Sequence, residues 1–166
     1  RTNIVWEWLL DWNAKDTSWN WNNGTATNVT YVSADKWYVE EIWSFNGSTS
    51  KVVLWTFWQA NWNFYISAWF NISDKTSVRK MYQTWQRGKG FYINTDGYIY
   101  FFRYYSTSFD QINTWIDVSD GKNYFIEWVY DWTDLILYLN NQQVSTVAVT
   151  ATTFDVWTWN TTIWTN

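Results

Sequence analysis

The chain has 166 residues, 47% of them apolar, and 11 basic against 15 acidic side chains leave it a net charge of −4. That fits one domain with an ample core, and the absence of a basic run argues against a nucleic-acid partner. Cys and His are both missing, so there is no disulfide or thiolate site, and no imidazole to act as base or metal ligand.

No stretch approaches about 18 uncharged apolar residues, so no helical membrane insertion is expected. Arg1-Thr2-Asn3-Ile4-Val5 lacks the character of a secretory signal; an export signal would have been removed or lie elsewhere. From there on, aromatic and β-branched runs alternate with Asn, Asp, Ser and Gly. This pattern predicts strands at 4–10, 27–33, 41–46, 50–56, 64–72, 79–85, 90–94, 97–105, 113–118, 123–130, 134–140, 142–149 and 155–164. No interval carries a helical period. Turns are expected at Thr95-Asp96-Gly97, at Ser119-Asp120-Gly121 and at Asn140-Asn141, the last a tight hairpin. Many short strands at regular spacing predict a sandwich or a closed sheet. Period-two alternation puts Phe64, Ile66, Ala68 and Phe70 on one face, and Tyr65, Ser67 and Trp69 on the other. Likewise Ile99 and Phe101 oppose Tyr98, Tyr100, Phe102 and Tyr104. The first set of each reads as core.

Eighteen Trp against six Gly is the oddest feature. Average usage would give roughly 12 Gly in a chain this long. Trp19 and Trp21 lie in the Asn-rich loop from Asp16 to Gly24, Trp62 splits Asn61 and Asn63, and Trp132 sits in Asp131-Trp132-Thr133-Asp134 between two strands. Such loops usually call on Gly for positive φ, where a Trp costs about 1–2 kcal/mol. Either these loops avoid positive φ, or the natural chain holds something other than Trp there.

Several motifs carry a resemblance: Trp8-Leu9-Leu10-Asp11, the loop from Asp16 to Ala26, Ser44-Phe45-Asn46-Gly47, Phe64-Tyr65-Ile66-Ser67-Ala68-Trp69-Phe70, Asp96-Gly97-Tyr98-Ile99-Tyr100-Phe101, Ser119-Asp120-Gly121-Lys122, Val129-Tyr130-Asp131-Trp132-Thr133 and Leu135-Ile136-Leu137-Tyr138-Leu139-Asn140. In this order they resemble the concanavalin A-like laminin-G domains of bacterial and viral surface proteins, over nearly the whole chain. The resemblance implies an all-β, antiparallel jelly-roll β-sandwich spanning 1–166 as a single domain. It also implies a further strand after Ile163, so the expectation is a sandwich short of its last strand and a fragment of a longer protein. The departures cluster. Trp19, Trp21, Trp62, Trp132 and Trp164 stand where the family writes Gly, whereas Trp8 and Trp69 stand where it writes Trp. Three explanations are open: a gene from a lineage that reads UGA as glycine, translated with UGA as tryptophan; deliberate replacement; or a naturally Trp-rich set of loops.

Catalysis finds little support. The E-x-D-x-E motif of the related β-glucanases is absent. Glu127 and Asp131 are about 13 Å apart along a strand, beyond both the roughly 5–5.5 Å and the 6.5–9.5 Å carboxylate spacings of glycosidases. Glu40 and Glu41 point to opposite faces of any strand. For metal, Asp11, Asn13, Asp16, Asn20 and Asn22 crowd one loop with oxygen donors suited to a structural Ca2+, which several domains of this superfamily hold. The same residues also build side-chain-to-backbone turns. For sugars, Tyr65, Trp69, Tyr98, Tyr100 and Tyr104 supply amphipathic rings, with Asn94 and Arg103 near strand ends; a second apolar layer or an oligomer contact is the competing reading. The expectation is therefore a non-catalytic carbohydrate-binding or adhesion module, extracellular or on a cell surface, whose partner is a glycan or a surface protein. A structural subunit of a surface layer, filament or virion comes second, and a glycoside hydrolase-like enzyme third.

Overall fold

The computed structural model describes residues 7, 9, 13–18, 20–36, 39–46, 48–54, 64–84, 89–105, 108–149 and 161–165. At 33–36, 39–43, 54, 83–84, 104–105, 108–109 and 161–165 it describes the backbone alone. Among these residues there is no helix. The strands are β1 (Gly24–Thr27), β2 (Thr30–Lys36), β3 (Val39–Ser44), β4 (Lys51–Leu54), β5 (Phe64–Asn71), β6 (Arg79–Thr84), β7 (Lys89–Ile93), β8 (Tyr98–Tyr105), β9 (Ser108–Asp117), β10 (Asn123–Tyr130), β11 (Asp134–Leu139), β12 (Gln142–Ala148) and β13 (Thr161–Thr165). A seven-stranded sheet runs β1-β4-β13-β6-β7-β8-β9, a four-stranded sheet runs β12-β11-β10-β5, and β2 pairs with β3 alone. Every pairing is antiparallel.

The two larger sheets close over one core, as period-two alternation demands. Ile66 and Phe70 of β5, Ile126, Trp128 and Tyr130 of β10, and Leu135, Leu137 and Leu139 of β11 face inward from the smaller sheet. Phe91, Ile93, Ile99, Phe101 and Ile112 answer from the larger. The layers meet where the rings of Phe101 and Trp128 lie 5.3 Å apart, with Phe64 edge-on to Trp128 at 4.6 Å. The four residues expected in the core, Ile66, Phe70, Ile99 and Phe101, are all buried.

Where the strands depart from expectation, backbone geometry gives the reason. The run 27–33 is cut by Asn28, at φ 52, so that β1 ends and β2 begins on either side of it. Gly24, Thr25 and Ala26, placed in the loop by the sequence pattern, are strand residues of β1. β9 starts five residues before the expected 113, and it bulges. Tyr98 pairs with Asp117 and Tyr100 with Asn113, so two steps along β8 match four along β9. Trp115 sits in that excess at φ 56. A second shift, between Lys80 and Tyr82, lets Met81 and Tyr82 both turn into the core. The expected turns hold: Gly97 has φ 84, Gly121 φ 76, and Asn140 and Asn141 have φ 51 and 65 in the β11–β12 hairpin. At Gly97 a Cβ would also run into the Asp117 carboxylate. Among the described loop tryptophans positive φ is not avoided: Trp21 has φ 59 and Trp132 φ 86. Of the expected strand 4–10 only Glu7 and Leu9 are described, and neither is in a strand. Trp19, Trp62 and residues 150–160 lie outside the described residues.

Candidate functional site

The sandwich offers two outer faces, and the predicted sugar-contacting residues are divided between them. On the four-stranded sheet, alternation along β5 turns Tyr65, Ser67 and Trp69 outward, and Trp69 is 72% exposed. On β10 the outward set is Phe125, Glu127 and Val129. The register fixes the rows: Trp69 opposite Phe125, Ser67 opposite Glu127, and Tyr65 opposite Val129. On its other side Glu127 lies opposite Tyr138 of β11. The Trp69 and Phe125 rings lie 4.9 Å apart and tilted by 34°, so Phe125 backs the indole from one side. Along the strands Glu127 is two residues, about 7 Å, from Phe125, and Tyr65 is four residues, about 13 Å, from Trp69; the Tyr65 hydroxyl donates to Glu127 Oε1 at 2.6 Å. Partial burial, then the hydrogen bond to Glu127, raise the Tyr65 pKa, which keeps the phenol a donor and leaves the carboxylate an acceptor with lone pairs to spare. An open ring beside a hydroxyl and carboxylate pair is a stacking surface with polar orientation.

The outer face of the seven-stranded sheet is built otherwise. Tyr92 of β7 and Tyr100 of β8 are register partners, and their rings stack at 5.1 Å and 7°. The Tyr100 hydroxyl donates to Asp96 Oδ2 at 2.7 Å and accepts from Asn113 Nδ2 at 3.0 Å. That bond to Asp96 is the main reason its pKa is raised. Gln111 Nε2 donates to the Tyr92 hydroxyl at 3.3 Å. Asp96 also accepts from the Tyr98 amide at 2.9 Å and from Asn94 Nδ2 at 3.4 Å. Tyr98 is edge-on to the exposed Trp115 at 5.8 Å. Rings and amides here are largely engaged with one another.

The structure thus brings Tyr65 and Trp69 together on one face, and Asn94, Tyr98 and Tyr100 on the opposite one. The side chain of Tyr104 lies outside the described residues. Arg103 is a correction. It shares the inward parity of Ile99 and Phe101, is fully buried, donates from Nε to Asp110 Oδ2 at 3.0 Å, and lies 5.2 Å from the centre of the Tyr130 ring. It cannot reach a ligand on the tyrosine face. Phe125, Ser67 and Glu127 were not among the predicted site residues; the alternation of 123–130 marks the outward set, but only the β5–β10 pairing puts it beside Trp69.

In the Asn-rich loop, Asp11 and Trp19 lie outside the described residues. Asp16 organises the rest: its Oδ1 accepts from the amides of Glu7 at 3.0 Å and Ser18 at 2.8 Å, and its Oδ2 from Asn22 at 3.0 Å. Burial pushes its pKa up, but the bonds from Ser18, Glu7 and Asn22 outweigh this and hold it low. Asn13 Oδ1 caps the Lys15 amide at 2.8 Å, and Asn20 Nδ2 donates to Ser18 Oγ at 3.1 Å. Apart from the Asn20–Ser18 side-chain bond, these are side-chain-to-backbone bonds of the kind Asx residues form. Among the described residues no three Asp or Glu side chains converge. Glu127 and Asp131 serve separate tasks, since Asp131 Oδ1 accepts from the amides of Thr133 and Asp134 at 3.0 and 2.8 Å.

An all-β sandwich of paired antiparallel sheets is the class this geometry defines. It is shared with the binding domain of Paraclostridial mosquitocidal protein 1, at a TM-score of 0.78 and 15% identity over 90% of this chain and 41% of that one. It is shared too with the binding domain of botulinum neurotoxin DC in complex with rat synaptotagmin II, at 0.67 and 17%, over 92% of this chain and 41% of that one. A third is botulinum neurotoxin type C, which depends on two ganglioside molecules to get into cells, at 0.68 and 16%, over 92% and 40%. The chain therefore spans about two fifths of the length of these structures. At such identities the likeness is one of fold. No known protein family and no curated protein matches the sequence.

Proposed function

We propose that this domain is a non-catalytic glycan-recognition module of an exported or surface protein, and that a sugar seats on Trp69. The observation that carries this reading is the juxtaposition on β5 and β10: an open indole backed by Phe125, with Glu127 in the next row of the same face and held there by the Tyr65 hydroxyl. A pyranose ring laid on the indole would bury its apolar face there. Its hydroxyls would meet the free lone pairs of Glu127 and the Ser67 hydroxyl. The fold-sharing toxin domains lend support, since one neurotoxin depends on two ganglioside molecules for cell entry and the binding domain of another is in complex with rat synaptotagmin II. The order of motifs supports a laminin-G-type lineage for the same sandwich. A two-layer frame with outward rings needs no catalytic carboxylate pair for this task.

The test is an immobilised glycan array probed with the chain and its Trp69→Ala variant. Binding by the parent that falls at least tenfold (~1.4 kcal/mol) in the variant is expected, while Tyr100→Phe leaves it intact. A folded parent that binds no glycan sinks the proposal. Concentration-dependent self-association without sugar affinity would favour an assembly subunit instead.

A further inference from the structure

Eight described residues have φ in the left-handed region: two Gly, three Asn and three Trp. Gly reaches that region because it lacks a Cβ, and Asn because its short amide bonds locally. Trp has neither property. Burial does not compensate either, since Trp21 is 83%, Trp115 75% and Trp132 44% exposed. Each occupies a place where backbone geometry selects Gly. Trp132, at φ 86, takes the first central position of the Asp131–Asp134 turn, whose ends are joined by a 3.3 Å bond from the Asp131 amide to the Asp134 carbonyl. A hairpin turn of that hand puts Gly at this position. Trp115 sits in the excess residues of the β9 bulge, a second site where Gly supplies positive φ. Trp21 turns the chain between Asn20 and Asn22, whose amide must reach Asp16. By contrast Trp69 and Trp128 lie within β5 and β10, where their side chains alternate normally.

We infer that, made in its own host, this protein carries glycine at positions 21, 115 and 132. The gene would belong to a lineage that reads UGA as glycine, and the tryptophans at these positions would come from reading that codon as tryptophan. The inference also sorts the aromatic surface. Trp115 beside Tyr98 drops out as a ligand-stacking ring, and Trp69 remains as an exposed indole in extended backbone.

Three readouts test it. The gene should show UGA at codons 21, 115 and 132 and the ordinary tryptophan codon at 69 and 128; ordinary codons at the first three overturn the inference. Peptide mass spectrometry of protein isolated from the host should find Gly at the three positions, and Trp there overturns it. In the recombinant chain, Trp21→Gly, Trp115→Gly and Trp132→Gly should each raise the thermal midpoint by about 2–4 °C. Trp69→Gly, which removes an equally exposed indole from extended backbone, should not raise it. No rise at the three positions, or an equal rise at Trp69→Gly, counts against the inference.

Discussion

The two outer faces of the sandwich use the same residue types to opposite ends. On the seven-stranded sheet Tyr92 and Tyr100 cover each other's rings, and Asp96, Asn113 and Gln111 occupy their hydroxyls. On the four-stranded sheet Phe125 backs Trp69, which stays 72% exposed, and a hydrogen bond joins Tyr65 to Glu127. The first arrangement puts its polar capacity into holding strands β7, β8 and β9 in place. The second leaves ring surface and lone pairs for something outside the molecule. Aromatic content alone therefore does not mark a binding face; unsatisfied capacity does.

The comparison can be pressed from its foundation outward. Trp128 lies under both faces, touching Phe64 and Phe101. Trp128→Ala should cost about 3–5 kcal/mol in urea unfolding; a loss under about 1 would mean the layers do not share this floor. Between the two sheets lies Lys89 of β7, buried against the Phe64 ring of β5, its pKa lowered to about 7 by desolvation. Between pH 7 and the ordinary value of 10.5 the unfolded chain holds a proton that the folded chain lacks. Stability from this group should therefore rise with pH across that window, by on the order of 1.4 kcal/mol per pH unit, and stay flat below it. Lys89→Met should flatten the profile, and an unchanged profile would place the titration elsewhere. Tyr100→Phe, which removes the hydroxyl between Asp96 and Asn113, should cost about 0.5–1.5 kcal/mol with glycan binding unchanged. Smallest is Tyr65→Phe on the exposed face: a stability change within about 0.5 kcal/mol, but a several-fold loss of glycan affinity. If Tyr65→Phe and Tyr100→Phe exchanged these phenotypes, the roles assigned to the two faces would be reversed.

Much of the fold was legible because alternation is a local property. β10 runs over the expected 123–130 from end to end, and the Asn140-Asn141 hairpin follows from two residues that tolerate positive φ. Boundaries failed where a single dihedral decided them. Nothing in the letters around Asn28 says that its φ of 52 splits one strand into two. The site was half legible. Tyr65 and Trp69 follow from parity along β5, whereas Glu127 is a partner of Tyr65 from 62 residues away, and only strand pairing brings them together. Arg103 shows a signal present but unused: counting by twos from Ile99 through Phe101 already turns it inward.

That inward Arg103, clasped by Asp110 beneath the sheet, has an evolutionary corollary. Losing either partner alone strands a charge in the core, at about 3–5 kcal/mol, while exchanging both for well-packed apolar residues is close to neutral. The two positions are thus bound to a common fate in descent, and homologues should keep the couple or have replaced both halves of it. A lineage that retains one without the other must have found a new counterion or a route for water.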